Sequence, residues 1–482
     1  MSEDAVKKRM NSKQLLIVLV ISLGSFMAGL DVTIVNIALP TISEAFNVST
    51  VTVSWVINAY LIVLVSLLLA SARIGDKKGY KKIFLIGFIV FTVGSICCGF
   101  APSIEFLIIS RVLQAIGGAI IAALGSVMVT SYLPTDVRGQ ALGFVAMFTM
   151  LGAALGPVIG GFLTSALSWR FIFYVNVPVG ILAIILGIRT LPLLKPVSPQ
   201  ATLDKIGIVF IFVALGTLIY GLTTLQSASV LIAVGMLIVS LIFWVLFYIW
   251  EHRTPEPLID FHLFKNHAFT LHNINILIIQ LCMAGVMILM PFYLELVKGI
   301  GTDSAGTILL ALPIGTILTS PIAGRISDVI GTKKPIIIGF IICIIALFFL
   351  STLSVNSSIG HAEVYLFILG AGTGFAYAPL NSAVMGLAPS KVRGEASGLI
   401  KMMTNLGSSL GIALVMLVTT TALGPKIAEI QTHTLPTQDI AYAFNISFLS
   451  LMFVELIGII LMFLIKDKKS EYTTNGEPVG MY

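Results

Sequence analysis

Four charged side chains stand in or beside long apolar runs, and their types suit proton exchange. Asp31 lies in the run 14–39, Arg111 in 104–131 and Glu455 in 442–465, while Glu295 closely follows 268–292. A charge at mid-bilayer costs about 2.5–3.5 kcal/mol on insertion scales, so it normally faces a cavity or a partner. Desolvation favours a neutral carboxyl and a nearby cation favours the carboxylate. An acid balanced between the two can trade a proton for a cationic cargo. Asp31, seventeen residues into its run, is the first candidate for that role, with Arg111 as counter-charge; the other reading is a structural pairing of two helices. Glu295, after Met290-Pro291-Phe292-Tyr293-Leu294, is either a second proton or cation site or a carboxylate at the mouth. Glu455, among Phe453, Val454, Leu456 and Ile457, competes for proton coupling or only hydrogen-bonds to a neighbour.

The elements that must hold these groups are membrane helices. Of 482 residues 57% are apolar and only 10% charged, against about 25% charged in a soluble domain, and mean hydropathy is +1.04. Backbone polar groups in hydrocarbon must pair within their own segment, so apolar runs of about 20 residues read as spanning helices. Fourteen are expected: 14–39, 51–72, 83–101, 104–131, 140–163, 170–190, 206–225, 229–250, 268–292, 304–323, 335–354, 363–387, 395–421 and 442–465. The first follows Lys7, Lys8, Arg9 and Lys13 without a cleavage pattern and is expected to be retained. With an even number of spans, 24 of 28 Lys and Arg fall on the side of both termini. Arg170, Lys298 and Lys426 fall opposite, and Arg111 lies within a span. Basic loops stay cytoplasmic, so both termini are expected there, in a cell membrane. The net charge of +6 is then topological and not a nucleic-acid footprint. Cys97, Cys98, Cys282 and Cys343 all fall in spans without metal-ligand spacing, so no metal and no cofactor is expected.

The chain repeats itself. Pro134-x-x-x-Arg138-Gly139-x-Ala141-x-Gly143 returns as Pro389-x-x-x-Arg393-Gly394-x-Ala396-x-Gly398, 255 residues later. Asp76-x-x-Gly79-x-Lys81-Lys82 returns as Asp328-x-x-Gly331-x-Lys333-Lys334, 252 later, and Leu151-Gly152-x-x-Leu155-Gly156 as Leu406-Gly407-x-x-Leu410-Gly411. Such duplication is how secondary transporters build two halves around one site. Six spans with short loops need about 190–200 residues, so the longer offset leaves room for two extra spans. The expected plan is a six-helix bundle in 1–200, two inserted helices in 201–255 and a second bundle with a tail in 256–482. The inserted pair carries few polar residues (Thr217, Tyr220, Ser240) and is expected to face lipid.

Four motifs carry a family resemblance over nearly the whole chain. Leu30-Asp31-x-Thr33-x-Val35-Asn36-x-Ala38-Leu39-Pro40, residues 72–82, Arg111-x-x-Gln114-x-x-Gly117, and Gly152-x-x-x-Gly156-Pro157-x-x-Gly160-Gly161 resemble motifs of the fourteen-helix drug:proton antiporters of the major facilitator superfamily. Ala72 and Tyr80 depart from the loop pattern, where glycine and a basic residue are usual. The resemblance implies an all-α membrane fold of two six-helix bundles plus two inserted helices, and exchange rather than symport. It also implies that the loops around Asp76, Gly79, Lys81, Arg138, Asp328, Gly331 and Arg393 latch the halves; topogenic charge with a tight turn is the plainer account. Gly152, Gly156 and Gly160 recur every fourth residue, which leaves a groove where another backbone can approach closely. Pro157 removes a helix hydrogen bond and is expected to bend only the first copy, because Ile412 replaces it in the second.

Polar and aromatic residues within spans are candidate cavity lining: Asn36, Trp55, Asn58, Tyr60, Gln114, Gln280, Tyr377, Asn381 and Asn405. Isolated polar residues in such helices are more often interhelical glue than ligand contacts. Gly370-Ala371-Gly372-Thr373-Gly374 lies inside a span with no preceding strand, and no Gly-Lys-Ser/Thr loop exists, so ATP is not the expected energy source. A charge crossing 100 mV is worth about 2.3 kcal/mol, which suffices. The expected function is proton-coupled export of lipophilic, often cationic, drug-like small molecules by a monomer that is not an enzyme. Export of one dedicated lipid, siderophore or metabolite, or a non-transporting sensor on the same fold, are the alternatives.

Overall fold

The computed structural model describes residues 10–196, 204–224, 230–254, 258–259, 261–388, 393–424 and 436–465. Among them no strand occurs; the chain is a bundle of helices, as a backbone that must satisfy itself in hydrocarbon requires. The helices are α1 (Ser12–Phe46), α2 (Thr50–Lys78), α3 (Tyr80–Gly99), α4 (Ile104–Tyr132), α5 (Thr135–Ala166), α6 (Phe171–Tyr174), α7 (Asn176–Thr190), α8 (Lys205–Thr224), α9 (Val230–Glu251), α10 (His267–Phe292), α11 (Thr302–Leu309), α12 (Ala311–Ile330), α13 (Lys333–Leu350), α14 (Ile359–Leu387), α15 (Arg393–Leu423) and α16 (Thr437–Leu464). Local chemistry sets the ends. Asn11 closes α1 with a reciprocal capping box through Gln14. Gly79 and Gly331 take φ of +92° and +85° where α2 and α12 stop, a conformation only glycine adopts without strain.

Among the described residues thirteen helices are long and apolar enough to cross a membrane, against fourteen expected. The segment outside that set is 363–387. It does form a helix, the 29-residue α14, but Gly370, Gly372, Thr373, Gly374 and Pro379 dilute its hydropathy. Two expected spans are jointed: 170–190 is α6 and α7, and 304–323 is α11 and α12. A single π-helical turn, Tyr293–Val297, extends α10.

The glycine pattern sets the packing. A β-carbon on Gly152 would collide with the Phe26 carbonyl, and one on Gly156 with the Thr33 hydroxyl, so α5 lies directly on α1. On α15, Gly407 and Gly411 meet the Leu277 and Leu281 carbonyls of α10. The two copies of the repeat thus make the same kind of contact. Helices α1–α7 pack mainly on one another, as do α10–α16. The two groups meet along α5 with α11 and along α2 with α15. At the first seam Gly161 touches the Thr302 carbonyl and Gly306 the Pro157 carbonyl, backbone to backbone.

The inserted hairpin is only half as expected. Helix α9 presents Leu231, Leu241 and Tyr248 outward. Helix α8 instead docks on both α2 and α15, with Tyr220 against the Trp55 ring at 6.0 Å. Asp204 fastens its base, accepting from the Gly207 amide at 2.9 Å and Trp250 Nε1 at 2.8 Å.

Candidate functional site

The best-formed polar cluster lies inside the first group, where α1, α2, α4 and α7 converge. Asp31 on α1 and Arg111 on α4 are fully buried, and Arg111 Nη1 donates to Asp31 Oδ2 at 2.7 Å. The second carboxylate oxygen accepts from Gln114 Nε2 at 2.8 Å and Asn176 Nδ2 at 3.3 Å. Gln114, one turn beyond Arg111, also accepts from Arg111 Nη1 at 2.5 Å and donates to Ser95 Oγ at 2.9 Å. Arg111 Nε donates to the Val56 carbonyl of α2 at 3.0 Å. Its guanidinium carbon stands 4.2 Å from the centre of the Tyr60 ring, a cation–π contact. Both oxygens of Asp31 are satisfied, whereas Arg111 Nη2, the Tyr60 hydroxyl and Asn176 Oδ1 are buried without a partner among the described residues.

The cluster reaches the second group through α2. Asn58, two residues before Tyr60 and fully buried, accepts from Ser409 Oγ of α15 at 3.3 Å. Of the expected cavity residues, Tyr60 and Gln114 join the Asp31 cluster and Asn58 the seam. Tyr377 pairs with Thr404 Oγ1 at 3.0 Å, Asn381 donates to the Tyr377 carbonyl at 2.7 Å, and Asn405 donates to the Lys401 carbonyl at 2.8 Å. Those three are half-buried on α14 and α15. Asn36 is buried on α1 with Oδ1 unpartnered, Gln280 is half-buried on α10, and Trp55 turns to the inserted hairpin.

The other two acids stand apart from Asp31. Glu455 is fully buried on α16, which packs on α10, α13 and α15. Neither of its oxygens has a hydrogen-bond partner among the described residues. The Cys282 thiol stands beside this carboxyl and donates to the Leu451 carbonyl at 3.4 Å. Glu295 sits in the π turn with Oε1 buried and unpartnered. Tyr293 and Lys298 pin that turn to the 354–357 loop: Tyr293 donates to the Ser354 carbonyl at 3.0 Å, and Lys298 to the Val355 carbonyl at 2.6 Å and to that of Ser357. Burial holds the Lys298 ammonium below its usual range.

Among the loop residues, Asp76 accepts from Tyr80 at 2.5 Å, so the residue that departs from the family pattern supplies the local donor. Lys81 donates to the Ile188 and Leu191 carbonyls at 2.8 and 2.7 Å, capping the end of α7 within its own group. Arg138, Asp328 and Arg393 belong to α5, α12 and α15, but their side chains lie outside the described residues. Sequence reasoning missed Asn176, which approaches Asp31 from 145 residues away, and the buried polar set His272, Asn273 and Asn275 at the start of α10. It also did not single out Lys401, which stands two turns inside α15. A lysine followed by Thr404, Asn405 and Ser408 on one helical face was the available signal.

The family pattern described as Major Facilitator Superfamily matches residues 21–412, and the chain belongs to that superfamily. The riboflavin transporter RibZ of Clostridioides difficile (strain 630) is 33% identical over 400 residues, covering 83% of this chain and 86% of that protein. The multidrug resistance protein Stp of Mycobacterium tuberculosis (H37Rv) is 30% identical, covering 84% and 76%. Among solved structures, a bacterial homologue of the human lysosomal transporter Spinster, inward-facing and occupied, matches with TM-score 0.65 at 16% identity over 95% of this chain and 97% of that one. The all-α membrane fold expected from sequence is therefore the observed one. The chain is a multi-pass membrane transporter for small molecules, and its relatives are not enzymes.

Proposed function

We propose that this transporter is a proton-coupled antiporter of the drug:proton type, exporting lipophilic, drug-like compounds by alternating access. In this reading 1–200 and 256–482 are two six-helix bundles that rock about one central cleft, and 201–255 supplies two further spans, fourteen in all. The protein works as a monomer in the plasma membrane with both termini cytoplasmic.

The observation that carries the reading is the buried Asp31–Arg111 pair and its route to the seam. Breaking a buried ion pair by neutralising one partner costs about 3–5 kcal/mol, more than the roughly 2.3 kcal/mol that one charge gains across 100 mV. A proton arriving on Asp31 therefore needs Arg111 to find new partners. Arg111 already holds α2 through the Val56 carbonyl and the Tyr60 ring, and α2 holds α15 through Asn58 and Ser409. Protonation thus strains the contact between bundles, and a change of seam geometry relieves it. Glu455, fully buried with neither oxygen hydrogen-bonded among the described residues, and Glu295, half-buried with Oε1 unpartnered, are the further acids able to take part.

In proteoliposomes an imposed pH gradient drives rhodamine 6G or ethidium flux, and adding either dye to purified protein releases protons. Asp31→Asn abolishes the release; release persisting at full size removes Asp31 from the coupling role. A second reading, export of one dedicated metabolite, is favoured by the 33% identity to a riboflavin transporter. Flavin flux exceeding dye flux under the same gradient would select it.

A further inference from the structure

Lys401 crosses between the two groups, which Arg111, bonded within the first group, does not. From α15 its ammonium spans the seam and donates to the Ala122 carbonyl of α4 at 2.6 Å. That carbonyl is neutral, and among the described residues the ammonium makes no ion pair with a carboxylate. Asp31 is closed inside its own cluster, Glu455 stands with Cys282 and Cys343, and Glu295 lies in the turn beyond α10. Lys401 is half-buried at the seam between the two groups.

Its surroundings form a cradle. Lys401, Thr404, Asn405 and Ser408 recur at three- and four-residue spacing and share one face of α15. Thr404 is tied to Tyr377, which adds an aromatic ring from α14. Opposite, Gly118 and Ala122 are one turn apart on α4, and the unpartnered Tyr60 hydroxyl lies against Gly118. The face therefore offers a cation, hydroxyls, a carboxamide and rings, but no anion.

An ammonium inside a membrane span is costly to leave without a counter-ion, and one backbone carbonyl is weak compensation compared with an ionised acceptor. We propose that Lys401 anchors the cargo, and that the cargo is a lipophilic compound carrying an anionic oxygen, such as a carboxylate or an acidic phenol. On loading, that oxygen replaces the Ala122 carbonyl, which gives the ammonium its counter-ion and frees the α4–α15 strap. Permanently cationic compounds bind the cleft without using Lys401. This deepens the exporter reading and rests on it.

Fluorescein and rhodamine 6G test the idea, because they share a xanthene skeleton and carry opposite charge. Equilibrium binding is read by fluorescence anisotropy on the full chain in nanodiscs. Lys401→Met weakens fluorescein binding about tenfold or more, as loss of one partner of a buried charge pair does. It leaves rhodamine 6G within about threefold, which also reports an intact cleft, and Lys401→Arg retains fluorescein binding. Unchanged fluorescein binding in Lys401→Met, an equal loss for both dyes, or no fluorescein binding by the unmodified protein each overturns the proposal. Flux under a pH gradient separates the two levels. If rhodamine 6G moves and fluorescein does not, only the anion anchor fails; if neither moves, the exporter reading fails.

Discussion

Gly152 and Gly156 let α5 lie on α1, and Gly407 and Gly411 let α15 lie on α10 in the same way, yet the charges beside these two contacts differ. Next to the first is the Asp31–Arg111 cluster, with both carboxylate oxygens paired. In the second group Glu455 has no hydrogen-bonding partner among the described residues, and Lys401 leans on a carbonyl of the other group. Close helix approach demands small residues wherever it occurs, so duplication preserves it. A buried charge is costly and was not kept in both copies. The first group holds a self-contained ion pair, and the second holds an acid with no hydrogen-bonding partner among the described residues and a lysine whose acceptor lies in the other group.

Four sets of substitutions break or sharpen that comparison, the largest effect first. Arg111→Leu strands the Asp31 carboxylate and lowers stability by about 3–5 kcal/mol, read from thermal unfolding in detergent; Asp31→Leu/Arg111→Leu recovers most of it. A loss below about 1 kcal/mol would mean the pair behaves like an exposed one. Gly156→Val and Gly411→Val each overpack a helix contact at a cost of about 1–3 kcal/mol or more. Similar melting-point losses are expected for the two, and a silent Gly411→Val would show that only the first contact is tight. Ser409→Ala removes one hydrogen bond at the seam, worth about 0.5–1.5 kcal/mol. Its expected readout is a shift in the labelling rate of a cysteine placed in the cleft, with little change in melting point. Glu455→Leu leaves stability unchanged or raises it, because no partner is lost and an apolar replacement at a buried ionisable site is often neutral or favourable. If Glu455→Leu instead costs as much as Asp31→Leu, Glu455 has a partner, and the contrast between the groups fails.

Hydropathy, the positions of Lys and Arg, and the repeated glycines fixed the class of this chain, because each is a property of neighbouring residues along one helix. The pairing of Asp31 with Arg111 was legible for the same reason: two opposite charges within apolar runs have few other places to go. Which other groups complete the site was decided only by tertiary structure. Gln114 and Asn176 reach one carboxylate from 83 and 145 residues away, Trp55 turns to α8, and Lys81 caps α7. Lys401 falls within the expected span 395–421, but nothing in its own stretch of sequence shows what it faces. Its reach to Ala122 depends on how far α15 extends and how it is rotated against α4. Rotation and depth arise from side chains meeting across the bundle, and no single stretch of sequence contains both partners.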